Sequence, residues 1–228
     1  MMFSKEVKKR HSRPLRMLLL LLGLALSITP VAQINISAEL LAKVEKKYGK
    51  AGRIRVEEWQ QLLDSPSAKA LPEKDKLKKV NDFFNQRIDF VDDIVLWRVN
   101  DYWATPIEFL AQGAGDCEDY AIAKYFTLKA LGVSEDKIRI TYVKAVELNQ
   151  AHMVLTYFET PRSAPVVLDN LIPQIKPASQ RNDLLPVYSF NGSGLWLAKA
   201  RGSGQRVGGT ERLSLWTDLT QRMMKNDL

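Results

Sequence analysis

GAGDCEDYAIAKY, residues 113–125, holds the only cysteine of the chain, with Asp116 on one side of it and Glu118 and Asp119 on the other. The two glycines just upstream break any regular element arriving from DYWATPIEFLAQ. From Asp116 onward, CEDYAIAKYFTLKALG reads as a helix, with Tyr120, Ala121, Ala123 and Leu128 available for packing and Gly132 as its C-terminal stop. Cys117 therefore falls in the first turn. Beyond Gly132 the pattern changes to period two. KIRITYVKAV (137–146) and AHMVLTYF (151–158) are strand-like and joined by the short ELNQ connection, which predicts an antiparallel hairpin. APVVLDN (164–170) supplies another short strand ending at Asp169.

Upstream of residue 113 the apolar spacing is helical. ISAELLAKVEKKYG places Leu40, Leu41, Val44 and Tyr48 on one face, with Ser37 as cap and Gly49 as stop; VEEWQQLLDS adds Trp59, Leu62 and Leu63. A third helix is expected over KDKLKKVNDFFNQRI, where Leu77, Val80, Phe84 and Ile88 form the stripe. After the first strands, LLPVYSFNGSGLWLA predicts a second hairpin turning at Asn191–Gly194. RGSGQRVGG is expected to be a mobile loop and ERLSLWTDLTQRMMK a closing amphipathic helix. Helices first, then one helix followed by antiparallel strands, define an α+β domain with its cysteine at a helix N-terminus packed on the sheet.

The 228 residues allow one domain with a substantial core, and a chain that is 46% hydrophobic and 26% charged reads as globular rather than disordered. The net charge of +7 comes mostly from the start of the chain. Residues 1–16 carry six lysines and arginines against Glu6, a local +5, which leaves +2 for the rest. No basic stripe falls in the folded part, so a nucleic-acid partner is not expected. The basic start runs into MLLLLLGLALSI (17–28), of the length of a signal-peptide core and too short for an ordinary transmembrane helix. We therefore expect a signal peptide over residues 1–32, cleaved after Ala32, an exported domain over 33–228, and a periplasmic location. Pro30 fits the small-x-small rule poorly, so an uncleaved inner-membrane anchor stays as the alternative.

A single cysteine in an exported protein makes no internal disulfide. It is either buried filler or a reactive group. His11 lies in the export segment, which leaves His152, at the start of a strand, as the only histidine of the mature domain. A cysteine protease needs a thiolate, an imidazole that accepts and returns a proton, and a group that fixes the imidazole tautomer. Cys117, His152 and Asp169 could supply these. A helix start favours negative charge through its free N–H groups and its dipole, and can lower a thiol pKa. The Cys117 N–H could donate to an oxyanion, with Trp103 as a second donor or a wall of the pocket. The competing reading is a non-catalytic binding module, in which Cys117 packs as a small hydrophobe and His152 is structural.

GAGDCEDYAIAKY, AHMVLTY and VVLDN together resemble the three motif blocks of the bacterial transglutaminase-like cysteine proteinases of the periplasmic LapG type. The resemblance runs from about Ile34 into the C-terminal part. It implies a papain-like or transglutaminase-like fold with Cys117 as nucleophile, His152 as general base and acid, and Asp169 as its orienter. It also implies a substrate, the N-terminal region of a very large surface adhesin cut near a pair of alanines so that the cell leaves a biofilm. The implied partner is an inner-membrane cyclic di-GMP receptor of the LapD type that holds the protease inactive. A transglutaminase or amidase on the same scaffold is the enzymatic alternative, because a thioester can be passed to amines or to water.

The carboxylates around Cys117 pose a separate problem. A unit charge about 6 Å from a thiolate, at an effective dielectric near 20, costs roughly 3 kcal/mol, or about two pKa units. No lysine or arginine occurs between Arg98 and Lys124 to offset Asp116, Glu118 and Asp119. Clustered oxygen ligands in an exported protein suit calcium, although the spacing is not that of an EF-hand loop. The resemblance points the same way, since it implies a calcium site at Asp116 and Glu118, with Asp119 added. The alternative is that Asp116 caps the helix while Glu118 and Asp119 complement its dipole.

Overall fold

Ser37 Oγ accepts from the Leu40 N–H at 3.1 Å and opens α1 (Ala38–Asp64). Gly49, at φ 78° and ψ 177°, interrupts that span, so the expected stop is a kink with the second helix following directly. The computed structural model describes Met1, Ile34 and residues 36–197 and 204–225. The chain divides into two compact units, Met1–Pro30 and Val31–Leu228, and all the described helices and strands belong to the second. The expected signal segment and its cleavage position at Ala32 lie, Met1 apart, outside the described residues. Among the described residues no helix is long and apolar enough to cross a membrane.

After α1 come α2 (Pro66–Ala70) and α3 (Glu73–Asn85), the latter burying Leu77, Val80 and Phe84 as its spacing requires. A two-residue parallel pair, β1 (Asp89–Phe90) with β2 (Ala114–Gly115), brackets α4 (Asp93–Leu96) and α5 (Pro106–Gln112). Apolar spacing alone does not predict helix α5. Its signal is present instead in Thr105-Pro106-Ile107-Glu108: Thr105 Oγ1 accepts from the Glu108 N–H at 3.2 Å, and the Glu108 carboxylate accepts from the Thr105 N–H at 2.8 Å. Proline at the first helical position completes the pattern.

Gly113 ends α5 in the left-handed region at φ 74°, and at Gly115 a Cβ would run into the Asp119 carboxylate and the Phe109 ring. These two glycines let the chain turn sharply into α6 (Cys117–Ala130). Helix α6 is buried along most of its length; Trp59 Nε1 of α1 donates to Thr127 Oγ1 at 2.8 Å, and the opposite side of α6 packs on the sheet.

The sheet is antiparallel throughout. Its strands are β3 (Ile138–Ala145), β4 (Gln150–Tyr157), β5 (Val166–Leu168), β6 (Lys176–Pro177), β7 (Leu184–Asn191), β8 (Gly194–Leu197) and β9 (Gln205–Gly208), in the order β6-β5-β4-β3-β7-β8-β9. Both expected hairpins form, with Ala145 paired to Gln150 and Asn191 to Gly194. The glycine-rich RGSGQRVGG differs from expectation: its described part contains edge strand β9, because ladder pairing to β8 needs backbone groups rather than apolar side chains. The closing helix α7 (Ser214–Lys225) begins later than its sequence pattern suggests and buries Trp216 against Tyr125, Phe126 and Phe190.

Candidate active site

Three elements bring the predicted residues together. Cys117 opens α6, His152 lies on β4, and Asp169 follows β5, the strand paired to β4. Cys117 and His152 line one cavity of about 570 Å³, and the backbone N–H of Met153, next along β4 from His152, lies against the Cys117 sulfur. His152 Nε2 is 2.8 Å from Asp169 Oδ1, with both side chains almost wholly buried. The Arg181 guanidinium, 2.7 Å from Asp169 Oδ2, joins His152 in holding the Asp169 carboxyl down to about 2, against a burial effect that opposes them. An ionised Asp169 only accepts, so the hydrogen of the shared bond sits on Nε2, which makes Nδ1 the acceptor in the neutral form of the ring.

The sign of the Asp169 effect gives a testable consequence. A carboxyl held below its unfolded value of about 3.9 stabilises the fold above that pH, by about 2 kcal/mol, and loses that contribution as pH falls through about 2. Urea denaturation is expected to show the largest stability gap between the parent and Asp169→Asn above pH 4, closing as pH falls toward 2. A gap independent of pH would mean that Asp169 is not held ionised by its partners.

Trp103 is buried, stacked on Phe190 at 5.6 Å between ring centroids, and also reaches the cavity. It is thus both core and wall. Tyr142 and Tyr188, paired across β3 and β7 and stacked at 5.1 Å, form another wall.

The thiol departs from the helix-start expectation. Burial first, then the Glu118 carboxylate, push the Cys117 pKa well up, and the sulfur donates to Glu118 Oε2 at 3.1 Å. The helix dipole is outweighed by desolvation and like charge at short range. Burial also raises Asp116 and Glu118, each further disfavoured by a neighbouring acid, and raises Asp119.

Asp116, Glu118 and Asp119 have company that the sequence did not suggest. Asp93, at the start of α4, and Asp101 join them: Asp93, Asp116 and Asp119 form one group of oxygens within 4.8 Å of one another, and Asp93, Asp101 and Glu118 form another. Nothing in their spacing links residues 93 and 101 to 116; only the fold of the α4–α5 segment does. Asp119 is committed to the backbone, with Oδ1 accepting from the Ala104 N–H at 2.8 Å and Oδ2 from the Asp116 N–H at 3.3 Å. Among the described residues, Asp93 Oδ1 and Asp116 Oδ1 are buried and find no hydrogen-bond partner. Unpartnered carboxylate oxygens beside several other carboxylates fit a hard divalent cation, which would satisfy them and offset the repulsion. Asp116, Glu118, Asp93 and Asp101 are the residues placed to hold it, with Asp119 supporting the cluster from beneath.

The segment that carries the cysteine at its helix start, the histidine–aspartate pair and the acidic cluster also matches a family model. The model of the bacterial transglutaminase-like cysteine proteinases (BTLCP) matches residues 57–196. The chain belongs to this family. Among solved structures, the proteinase is similar to Legionella pneumophila LapG, at 46% identity and a TM-score of 0.68 over 80% of this chain and 97% of that one. The calcium-bound form of that LapG matches at 48% identity and a TM-score of 0.68 over 82% and 99% of the two chains; the EGTA-treated form matches at 46% identity and a TM-score of 0.69 over 80% and 97%. Comparison with curated proteins gives no match.

Proposed function

We propose that the chain is a periplasmic, calcium-dependent cysteine endopeptidase that cuts the N-terminal region of a large surface adhesin near a pair of alanines and so disperses biofilm. In this reading residues 1–32 direct export, and an inner-membrane receptor for cyclic di-GMP, of the LapD type, restrains the protease. The observation that carries the reading is that His152, paired with Asp169, lines one cavity with a thiol at a helix start. Support for calcium comes from the unpartnered oxygens of Asp93 and Asp116 and from the calcium-bound form of the similar Legionella protein.

Each residue has a step in the chemistry. His152 Nδ1 takes the thiol proton of Cys117, and the sulfur attacks the scissile carbonyl carbon. The first N–H groups of α6, that of Cys117 among them, are free of helix partners and stabilise the resulting oxyanion. The imidazolium returns its proton to the leaving amine as the C–N bond breaks, leaving a thioester on Cys117. His152 then takes a proton from water, the hydroxide so formed attacks the thioester carbon, and the proton returns to sulfur as the acid leaves. Asp169 keeps the ring oriented throughout. A bound calcium ion would supply positive charge beside the thiol and offset the Asp116 and Glu118 carboxylates.

The substrate is tested with the N-terminal fragment of the largest repeat-rich adhesin of the same genome, incubated with the protein in calcium, in chelator, and in calcium with a primary amine. Cleavage in both calcium arms, with a new terminus near paired alanines, supports the proposal. Amine incorporation in place of hydrolysis makes the protein a transglutaminase. An intact fragment in every arm, with a folded protein by circular dichroism, removes the adhesin from the reading.

A further inference from the structure

Asp169 is gripped by far more than His152. Its Oδ1 accepts from His152 Nε2 and, at 3.1 Å, from the Leu171 N–H, while Oδ2 accepts from Arg181 Nη2 at 2.7 Å. Its peptide carbonyl accepts from Asn85 Nδ2 of α3 at 2.7 Å and from Lys124 Nζ of α6 at 3.2 Å. Arg181 is itself fixed from behind: its Nε lies 2.9 Å from Asp183 Oδ1 and its Nη2 2.7 Å from Asp183 Oδ2. The Arg181 and Asp169 side chains are 1% and 0% exposed, so their contact lies in the interior, while Asp183, at 28%, holds Arg181 from nearer the surface. The charged and titratable groups facing Asp169 are thus His152 from β4, Lys124 from α6, and Arg181, backed by Asp183, from the segment before β7.

A carboxylate tied at one oxygen can still swing about its Cβ–Cγ bond; tied at both, it cannot. A guanidinium suits this position because its planar fork serves two carboxylates at once, which a single ammonium does not. We propose that Arg181 is a positioning residue of the catalytic site: by occupying Asp169 Oδ2 it fixes Oδ1 against His152 and locks the imidazole with hydrogen on Nε2 and Nδ1 free. The inference rests on the reading of His152 as general base, but the state of the ring can be observed without any substrate. Two features of the sequence conceal this role: Arg181 lies in a segment without periodicity, and its pairing with Asp169 depends on how the 170–183 connection folds back.

The full chain carrying His11→Gln has His152 as its only histidine, so ¹⁵N-histidine labelling reads one ring. With the ring neutral, the parent is expected to show one protonated nitrogen, Nε2, and one bare nitrogen, Nδ1, with well-separated shifts. In Arg181→Gln the two shifts are expected to move toward each other as the tautomers mix, and kcat on the adhesin fragment to fall by about tenfold or more with KM unchanged. That loss is bounded by the roughly 10²- to 10⁴-fold worth of general acid–base catalysis. Arg181→Lys, which restores the charge without the fork, is expected to lie between the two in both readouts. A purely structural ion pair would lower the melting temperature and leave the ring spectrum alone, so a folded Arg181→Gln protein with the parent spectrum overturns the proposal. Where Arg181→Gln does not fold, Arg181→Lys decides: parent-like spectrum and parent-like kcat overturn the proposal, and displacement of both supports it. A displaced spectrum in a protein whose parent leaves the adhesin fragment intact supports the positioning role and removes the adhesin from the proposed function.

Discussion

Cys117→Ala is expected to remove cleavage of the adhesin fragment almost completely, and His152→Ala to do the same. Loss of a nucleophile or its base in a catalytic unit of this type costs on the order of a millionfold in kcat, and the losses do not add. The Cys117→Ala/His152→Ala protein is therefore expected to be no worse than either single variant. Neither change should unfold the domain. Cys117 is only partly buried, and without His152 the Asp169 carboxylate still keeps Arg181 on one oxygen and the Leu171 N–H on the other. Single-turnover cleavage assays, with circular dichroism as the folding control, read the result. Losses that multiply in the double variant would mean that Cys117 and His152 act in separate steps, and a Cys117→Ala protein as active as the parent would remove the thiol from the mechanism.

Chelation of calcium is expected to stop cleavage and lower the melting temperature together. Asp93, Asp116, Glu118 and Asp119 are crowded, and burial with mutual repulsion keeps the last three from ionising readily. A cation needs them ionised. Calcium binding near neutral pH should therefore release protons, which an indicator dye in weakly buffered solution would detect. At a hundredfold excess over its dissociation constant, a calcium ion bound only to the folded state would stabilise it by about 2.7 kcal/mol. The combined Asp116→Asn and Glu118→Gln variant sharpens the test because its two effects have opposite signs. In chelator it is expected to be more stable than the parent, since carboxyls that burial keeps from ionising cost stability wherever the unfolded chain would ionise them; with calcium added it is expected to gain nothing and to remain inactive. A parent whose melting temperature and proton balance ignore calcium would sink the assignment of the cluster.

The same cluster explains why a thiol is set among acids. With the side chains of this chain alone, the thiol is held protonated and donates to Glu118. Acidity at this helix start therefore depends on what neutralises the carboxylates, which is the role the proposed cation would have.

Some of this protein is fixed by local pattern. The helix that opens at Cys117, the glycines before it and the two hairpins with their turns are each specified by residues a few positions apart. Ser37 and Gly113 act through bonds or backbone angles of their own neighbourhood, and apolar periodicity states which face of α1 and α3 is buried. The order of Cys117, His152 and Asp169 along the chain is also plain in the sequence, as is their placement at a helix start, on a strand and after the next one. Helix α5 goes unpredicted because seven residues are too few for a periodic signal, although its Thr105–Glu108 capping box is local.

Tertiary structure alone decided which charges meet. Arg181 reaches Asp169 across a connection without regular spacing, Asp93 and Asp101 join Asp116 and Glu118 from a separate segment, and β9 is a strand because β8 offers it an unpaired edge. The physical reason is the same in each case. Side-chain periodicity records how a segment faces the core, whereas ion pairs, shared cation sites and edge pairing depend on distances between segments, which take values only once the chain has packed.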